Sequence, residues 1–236
     1  MKKTCAVLPS HNEEKTLASV IKPLKEAGID IFVVDDGSQD MTYEKAGSVK
    51  AGHVKVIRLE ENQGKGQAIK EAFKYAKGDI IMFLDGDLDI HPAQFHALFD
   101  IMKNENADVV IGAKRHERSV VKYPFKRRVL SAGYFYIVKF LFGLPLLDTQ
   151  TGIKIFKREV LDKIFHRVLI KRYAFDLELL VLAHHNGYTI RPAPIVVDFK
   201  GKYGHITPRV IFKILWDTMA IFYRLRIKKY YTGKEQ

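Results

Sequence analysis

The sequence predicts an α/β protein, a mostly parallel sheet flanked by helices. Two observations carry this. Short apolar runs alternate with amphipathic stretches through the first 115 residues, the pattern of strands joined by helical crossovers. The runs themselves, such as IFVV and IIMFL, are continuously apolar, as strands buried on both faces are. Three hydrophilic clusters, residues 9–13, 35–38 and 85–89, each follow such a run. Sheets of this kind bind ligands outside the carboxyl ends of their strands, so a site is expected there.

Taken in order, residues 4–8 read as a buried strand. Residues 13–27 read as a helix, with Leu17, Val20, Ile21 and Leu24 at helical spacing and Gly28 ending it. A strand over 31–34, a helix over 40–51 and a strand over 54–59 follow. A helix over 66–76 ends near Gly78, and then come a strand at 79–84, a helix at 92–104 and a fifth strand at 109–112. The second half is less regular. Residues 127–142 are apolar and aromatic, 148–156 read as a turn and a strand, 175–185 as a helix, 195–198 as a strand and 207–228 as a long terminal helix. These elements divide into a main domain over 1–205 and a basic amphipathic helix and tail over 206–236.

A chain of 236 residues is long enough to bury a core without disulfide or metal staples. Its single cysteine, Cys5, lies in an apolar run. That excludes an internal disulfide and reads as a small core residue. The N-terminus has two lysines but too few apolar residues after them for a secretory signal, so a cytoplasmic protein is expected. The formal charge of +12 calls for an anionic partner. The excess of Lys and Arg lies after Lys114 and interleaves with aliphatic runs, without a nucleic-acid motif. An acidic lipid or a phosphorylated substrate is therefore expected, and nucleic acid is not.

Residues 129–147 carry one charge, Lys139, over a length that would span a bilayer. Gly133, Gly143 and Pro145 interrupt them, so a segment lying on the bilayer or lining a lipid-facing groove is expected; a buried core helix is the alternative. The terminal helix mixes Val210, Ile211, Ile214, Leu215, Phe222 and Leu225 with Arg209, Lys213, Arg224 and Arg226, which suits an anionic membrane surface. Packing on the domain, or pairing with a second copy in a homo-oligomer, would use the same residues.

Asp85, Asp87 and Asp89 alternate over five residues. Their mutual repulsion would be relieved by a hard divalent cation such as Mg²⁺ or Mn²⁺; a solvated acidic turn is the plain alternative. In residues 35–40, Gly37 allows a tight turn and Ser38 or Asp40 can cap a helix. That leaves two adjacent carboxylates, one of which can accept hydrogen bonds from a base or ribose. In residues 9–14, Ser10 or Asn12 can serve as an N-cap, with Glu13 and Glu14 favoured by the helix dipole. Residues 62–67 form a Gly-rich turn whose backbone N–H groups can cradle phosphate. They are not a P-loop, and no G-x-G-x-x-G follows the first strand.

Together the runs VLPSHNEEKTL, VVDDGSQD, ENQGKGQAIKEAF and GDIIMFLDGDLDIHP resemble the family 2 glycosyltransferases in order and spacing, over residues 4 to about 115. The runs LLDTQTGIKIFKREVL and YAFDLELLVLAHHNGY are similar to the branch acting on polyprenyl phosphates. That branch includes dolichyl-phosphate mannosyl- and glucosyltransferases, and the second runs look closer to the glucosyl type. The resemblance implies the GT-A fold and an inverting, metal-dependent transfer of hexose. The donor would be UDP-glucose or GDP-mannose and the acceptor a polyprenyl (dolichyl-type) phosphate, at the cytoplasmic face of a membrane.

The resemblance also implies residue roles. Asp85, Asp87 and Asp89 match the metal motif, Asp87 most securely. Pro9, Asn12, Glu13, Asp36 and Asp85 match positions that line the nucleotide, and Lys65 approaches the donor. Arg127, Arg128 and Ser131 match a segment that holds the acceptor phosphate. Lys114 stands where many relatives carry Arg, and it lacks the Arg fork. A phosphate acceptor is already nucleophilic, so Lys114, Arg127 and Arg128 would orient it without a general base. A hydroxyl acceptor would need a base, for which Asp148, Asp176 and Glu178 are candidates; each serves equally well as a structural carboxylate. A nucleotide-sugar-binding protein without turnover is the alternative from another class, and the intact acidic motif argues against it.

Overall fold

A computed structural model describes residues 3–49, 52–122, 125–198 and 207–231, with the side chains of 125–127 excluded. Its main sheet, among these residues, is built from β1 (Thr4–Ser10), β2 (Asp30–Asp36), β3 (Val54–Leu59), β4 (Ile80–Leu84), β5 (Val109–Gly112), β7 (Ile153–Lys157) and β8 (Ile190–Ala193). The spatial order is β3-β2-β1-β4-β7-β5-β8. A small parallel pair, β6 (Val120–Lys122) and β9 (Val196–Asp198), lies beside it. The α-helices among the described residues are α1 (Leu17–Glu26), α2 (Thr42–Ser48), α3 (Lys65–Phe73), α4 (Phe95–Asn104), α5 (Phe125–Phe142), α6 (Arg158–Ile164), α7 (Phe175–His185) and α8 (Pro208–Phe222).

The apolar strands are explained by what lies on each face. Along β1, Cys5 and Val7 pack into one buried cluster with α3, α6 and α7, while Ala6 and Leu8 pack into another with α1 and α4. A period of two that is apolar on both faces leaves no alternation to read. The order reverses between β1 and β4: the chain runs outward through β2 and β3, then returns to the other side of β1. Such a switch point opens a crevice at the strands' carboxyl ends.

One strand departs from the parallel expectation. β7 runs antiparallel between β4 and β5, with Leu84 opposite Ile153 and Ile111 opposite Lys154. Its amino end therefore lies at the carboxyl ends of β4 and β5. Residues 148–152 are thereby delivered to the crevice, and the amide of Asp85 donates to the carbonyl of Gly152 at 2.9 Å.

The expected helix over 13–27 begins only at Leu17. The amide of Glu13 donates to Thr42 Oγ1 at 2.7 Å, which holds residues 13–16 in a turn at the crevice mouth. β6, β8 and α6 have no counterpart in the sequence reading. β6 is three residues long and β8 contains Pro192, both weak strand signals. The expected boundary at 205–206 lies outside the described residues. Beyond it, Ile221, Leu225 and Tyr231 belong to the same buried cluster as α5, α6 and α7, so α8 packs as part of the domain.

Candidate active site

A cleft of about 440 Å³ opens at the switch point, lined by Pro9, His11, Glu13, Lys65, Asp85, Asp87 and Asp176 among others. A smaller recess of about 120 Å³ adjoins it, with Asp89, Lys114, Ser131 and Gly152 in its wall. The two share Asp85, Asp87 and Gln150. The acidic run after β4 thus faces a wide chamber on one side and a narrow, partly cationic one on the other.

Residues 5–165 match the family described as glycosyl transferase family 2. The chain belongs to that family. A dolichyl-phosphate β-glucosyltransferase of Dictyostelium discoideum is 32% identical to this family 2 chain over 198 residues, covering 75% of this chain and 61% of the relative. The chain thus spans about three fifths of that relative's length. An uncharacterised protein of Methanocaldococcus jannaschii is 32% identical over 194 residues, covering 80% of this chain and 79% of its own. Glucosyl-3-phosphoglycerate synthase of Mycobacterium tuberculosis, solved with Mn²⁺, UDP-glucose and phosphoglyceric acid, superposes with a TM-score of 0.72 at 20% identity. That match covers 94% of this chain and 80% of the synthase, and it shows a shared fold.

In this family 2 chain the carboxylates fall into two groups. Asp35 and Asp36 at the end of β2 are buried and both accept backbone amides. Asp35 accepts from the Ser38 amide at 3.1 Å and pairs with Arg58 at 3.3 Å. Asp36 accepts from the amides of Gln63 and Gly64, each at 2.8 Å. This bears on two sequence expectations. The Gly-rich turn at 62–67 cradles a protein carboxylate, and the next amides, Gly66 and Gln67, donate to the carbonyl of Lys171. The amides of residues 63, 64, 66 and 67 therefore have protein acceptors, and Asp36, which lies in the cleft wall, also holds the turn. Gly64 (φ +99°) and Gly66 permit this, because a Cβ at either would strike residues 170–175 at about 2.5 Å.

Asn12 is likewise a strut and not part of the cleft lining. Its amide donates to Ser38 Oγ at 2.9 Å and its Oδ1 accepts from the Gln39 amide at 3.0 Å. Glu13 and Pro9 do line the cleft. Burial pushes the Glu13 carboxyl above its usual range, with Asp85 adding to the effect and the Thr16 hydroxyl opposing it.

The second group is under-compensated. Asp87 is pushed up to about 7 by burial and by the charges of Asp85 and Asp89, against one amide bond from Asp89. Oxygen donors crowded at this charge density fit a hard divalent cation in kind. Among the described residues no three His, Cys, Asp or Glu side chains gather closely enough to hold an ion by themselves, so the oxygens of a diphosphate would have to complete the set. Asp85 is instead met by Lys65 Nζ at 2.7 Å, and the same ammonium lies 3.0 Å from Asp176.

On the recess side, Lys114 Nζ lies 3.4 Å from Asp148 and donates to the Gln150 carbonyl at 3.3 Å. Ser131 accepts from Arg115 at 3.3 Å. Arg128 is exposed and outside the recess wall, and the side chain of Arg127 lies outside the described residues. Glu178, read as a candidate base or a structural carboxylate, is in the wall of neither the cleft nor the recess. It is fully buried and accepts from the Leu169 and Ile170 amides at 2.9 and 2.6 Å, from Arg224 at 2.9 Å and from the Tyr231 hydroxyl. The sequence reading missed Gln150, Arg115 and Lys154. Gln150 lies within the Asp-Thr-Gln-Thr-Gly run, and Arg115 adjoins Lys114, so both had a signal.

Proposed function

We propose that the chain transfers a hexose, with inversion, from a nucleotide-sugar to the phosphate of a polyprenyl lipid at a membrane surface. The observation that carries this reading is the junction of cleft and recess at Asp85, Asp87 and Gln150, with Lys114 and Ser131 on the recess side. The size of the larger chamber suits a nucleotide-sugar, and the smaller offers a phosphate one ammonium, Lys114, and one hydroxyl, Ser131, beside the carboxylates that would hold a divalent cation. The carboxylates read as bases are engaged: Asp148 by Lys114 and the Gln150 amide, Asp176 by Lys65 and Lys154, Glu178 as described. That favours an acceptor that needs no base over a sugar or protein hydroxyl.

In this reading Glu13, Pro9 and Lys65 frame the nucleotide. Asp85 and Asp87, with Asp89, would hold Mg²⁺ or Mn²⁺, which supplies charge neutralisation for the departing diphosphate. Lys114 and Ser131 orient the acceptor oxygen towards the anomeric carbon, so that positioning and fixed charge carry the rate. The names of the relatives and the UDP-glucose bound by the structural neighbour support UDP-glucose over GDP-mannose, and a β-linked product.

Membrane contact is proposed through α5 and α8. These helices pack together through Tyr134 and Thr218, 3.0 Å apart, and Phe142 and Phe222. Outward they present Tyr136, Phe140 (88% exposed), Phe212 and Trp216 (67% exposed), beside Lys139 and Lys213. Among the described residues no helix is long and apolar enough to cross a membrane, so the contact proposed is peripheral, on the cytoplasmic face.

The test is a donor screen with Mn²⁺ or Mg²⁺, using UDP-glucose or GDP-mannose, with and without a short polyprenyl phosphate. Sugar appearing in the organic phase only with the lipid phosphate is the expected result. Equal transfer without it would sink the acceptor assignment.

A further inference from the structure

Four charged side chains form a row beneath the cleft. Asp85 at the end of β4 meets Lys65 at the start of α3, at 2.7 Å. Lys65 meets Asp176 in the first turn of α7 at 3.0 Å, and the other oxygen of Asp176 faces Lys154 of β7 at 3.2 Å. The inner pair is fixed. Lys154 and Asp176 are buried, and Lys154 also donates to the Thr151 carbonyl. The outer pair is reachable, with side chains 28% and 33% exposed.

The order of charges gives Lys65 two carboxylates. It can therefore leave one without becoming an uncompensated buried charge, the state that costs most. Asp85 meanwhile has an oxygen committed to Lys65, one that a divalent cation would need.

We infer that Lys65 is a place-holding cation. It neutralises Asp85 before the donor binds, releases it when a divalent cation and a nucleotide diphosphate arrive together, and then faces the diphosphate. Asp176 and Lys154 are positioning residues that keep Lys65 at the cleft during the exchange. This rests on the reading of Asp85 and Asp87 as cation ligands. Its consequence is ordered loading: the divalent cation binds weakly alone and strongly with the nucleotide.

Mn²⁺ titration of the full chain by electron paramagnetic resonance, with and without UDP, tests this, with thermal melts to confirm folding. Lys65→Met is expected to bind Mn²⁺ alone about tenfold more tightly than the wild type, because a competing charge in contact is gone, and to gain less from UDP. Lys65→Arg should restore wild-type behaviour, and Lys65→Gln serves if the Met variant does not melt cooperatively. Lys154→Met removes the same charge from the far end of the row and should leave Mn²⁺ affinity within about twofold. No tightening in Lys65→Met, or equal tightening in Lys154→Met, overturns the inference while leaving the cation site standing. Mn²⁺ binding that survives Asp87→Asn instead overturns the cation site, and the inference with it.

Discussion

Asp35-Asp36 and Asp85-Gly-Asp87 both follow a buried parallel strand, and both lie at the same edge of the sheet. They have opposite fates. The first pair receives three backbone amides and an arginine. The second receives one amide and a lysine that it shares with Asp176. The first two carboxylates are adjacent and the second two are separated by Gly86, but spacing alone does not account for this. What separates them is how many N–H groups the surrounding loops aim at them. A carboxylate supplied with amides organises the fold, and one left short of them keeps charge available for a ligand.

The sharpest way to break this comparison is to neutralise one carboxylate of each pair. Asp87→Asn should lower transfer by about 10³-fold, the scale of several kcal/mol of charge stabilisation. Its melting temperature should not fall, because burial and like charges already disfavour the Asp87 carboxylate. A transfer assay beside a thermal melt checks both. Wild-type turnover would remove Asp87 from the site. The next effect belongs to the recess. Lys114→Met should reduce kcat/KM by about 10²-fold, as expected on losing one preorganised charge in a sheltered site. Donor binding without acceptor should be unchanged. A loss of UDP binding in this variant would move Lys114 into the donor cleft.

Much of the donor side was legible in the sequence because each motif follows a strand directly. The five strands read over the first half and the acidic run at 85–89 all stand at the expected edge. The protein acceptors of four of the amides at 62–67 were not legible, because they come from Asp36 and Lys171, distant in sequence. The recess was legible only in part. Gln150 and Lys114 come together because β7 runs antiparallel into a parallel sheet, and no local periodicity announces strand direction. Lys154 stands between Ile153 and Ile155 in the sequence with no local sign of a partner. It is buried because Asp176 meets it from α7, a contact between residues 22 positions apart that only packing reveals.

Neutralising the first pair should act on stability. Asp36→Asn leaves one of the amides of Gln63 and Gly64 facing an NH₂ group in place of an acceptor. The expected cost is about 2 kcal/mol, a fall of roughly 4–8 °C in melting temperature for a chain of this size. Loss of turnover at full stability would instead place Asp36 in the chemistry, with Asp87, and dissolve the contrast.

The smallest effect separates two cations that the sequence grouped together. Lys114 lies in the recess wall, whereas Arg128 is exposed on α5. An exposed cation beside an apolar helix face attracts an anionic bilayer by about 1 kcal/mol. It does so through a screened field that salt weakens, not through contact with one phosphate. Arg128→Ala should therefore weaken sedimentation with phosphatidylserine vesicles by about fivefold at low salt, with the difference shrinking as salt rises. Turnover on a short, detergent-dispersed polyprenyl phosphate should stay within about twofold of wild type, since no bilayer is then involved. A loss of turnover on the dispersed acceptor as large as that of Lys114→Met would show that Arg128 turns inward to the acceptor phosphate. The recess would then extend along α5 instead of ending at Ser131.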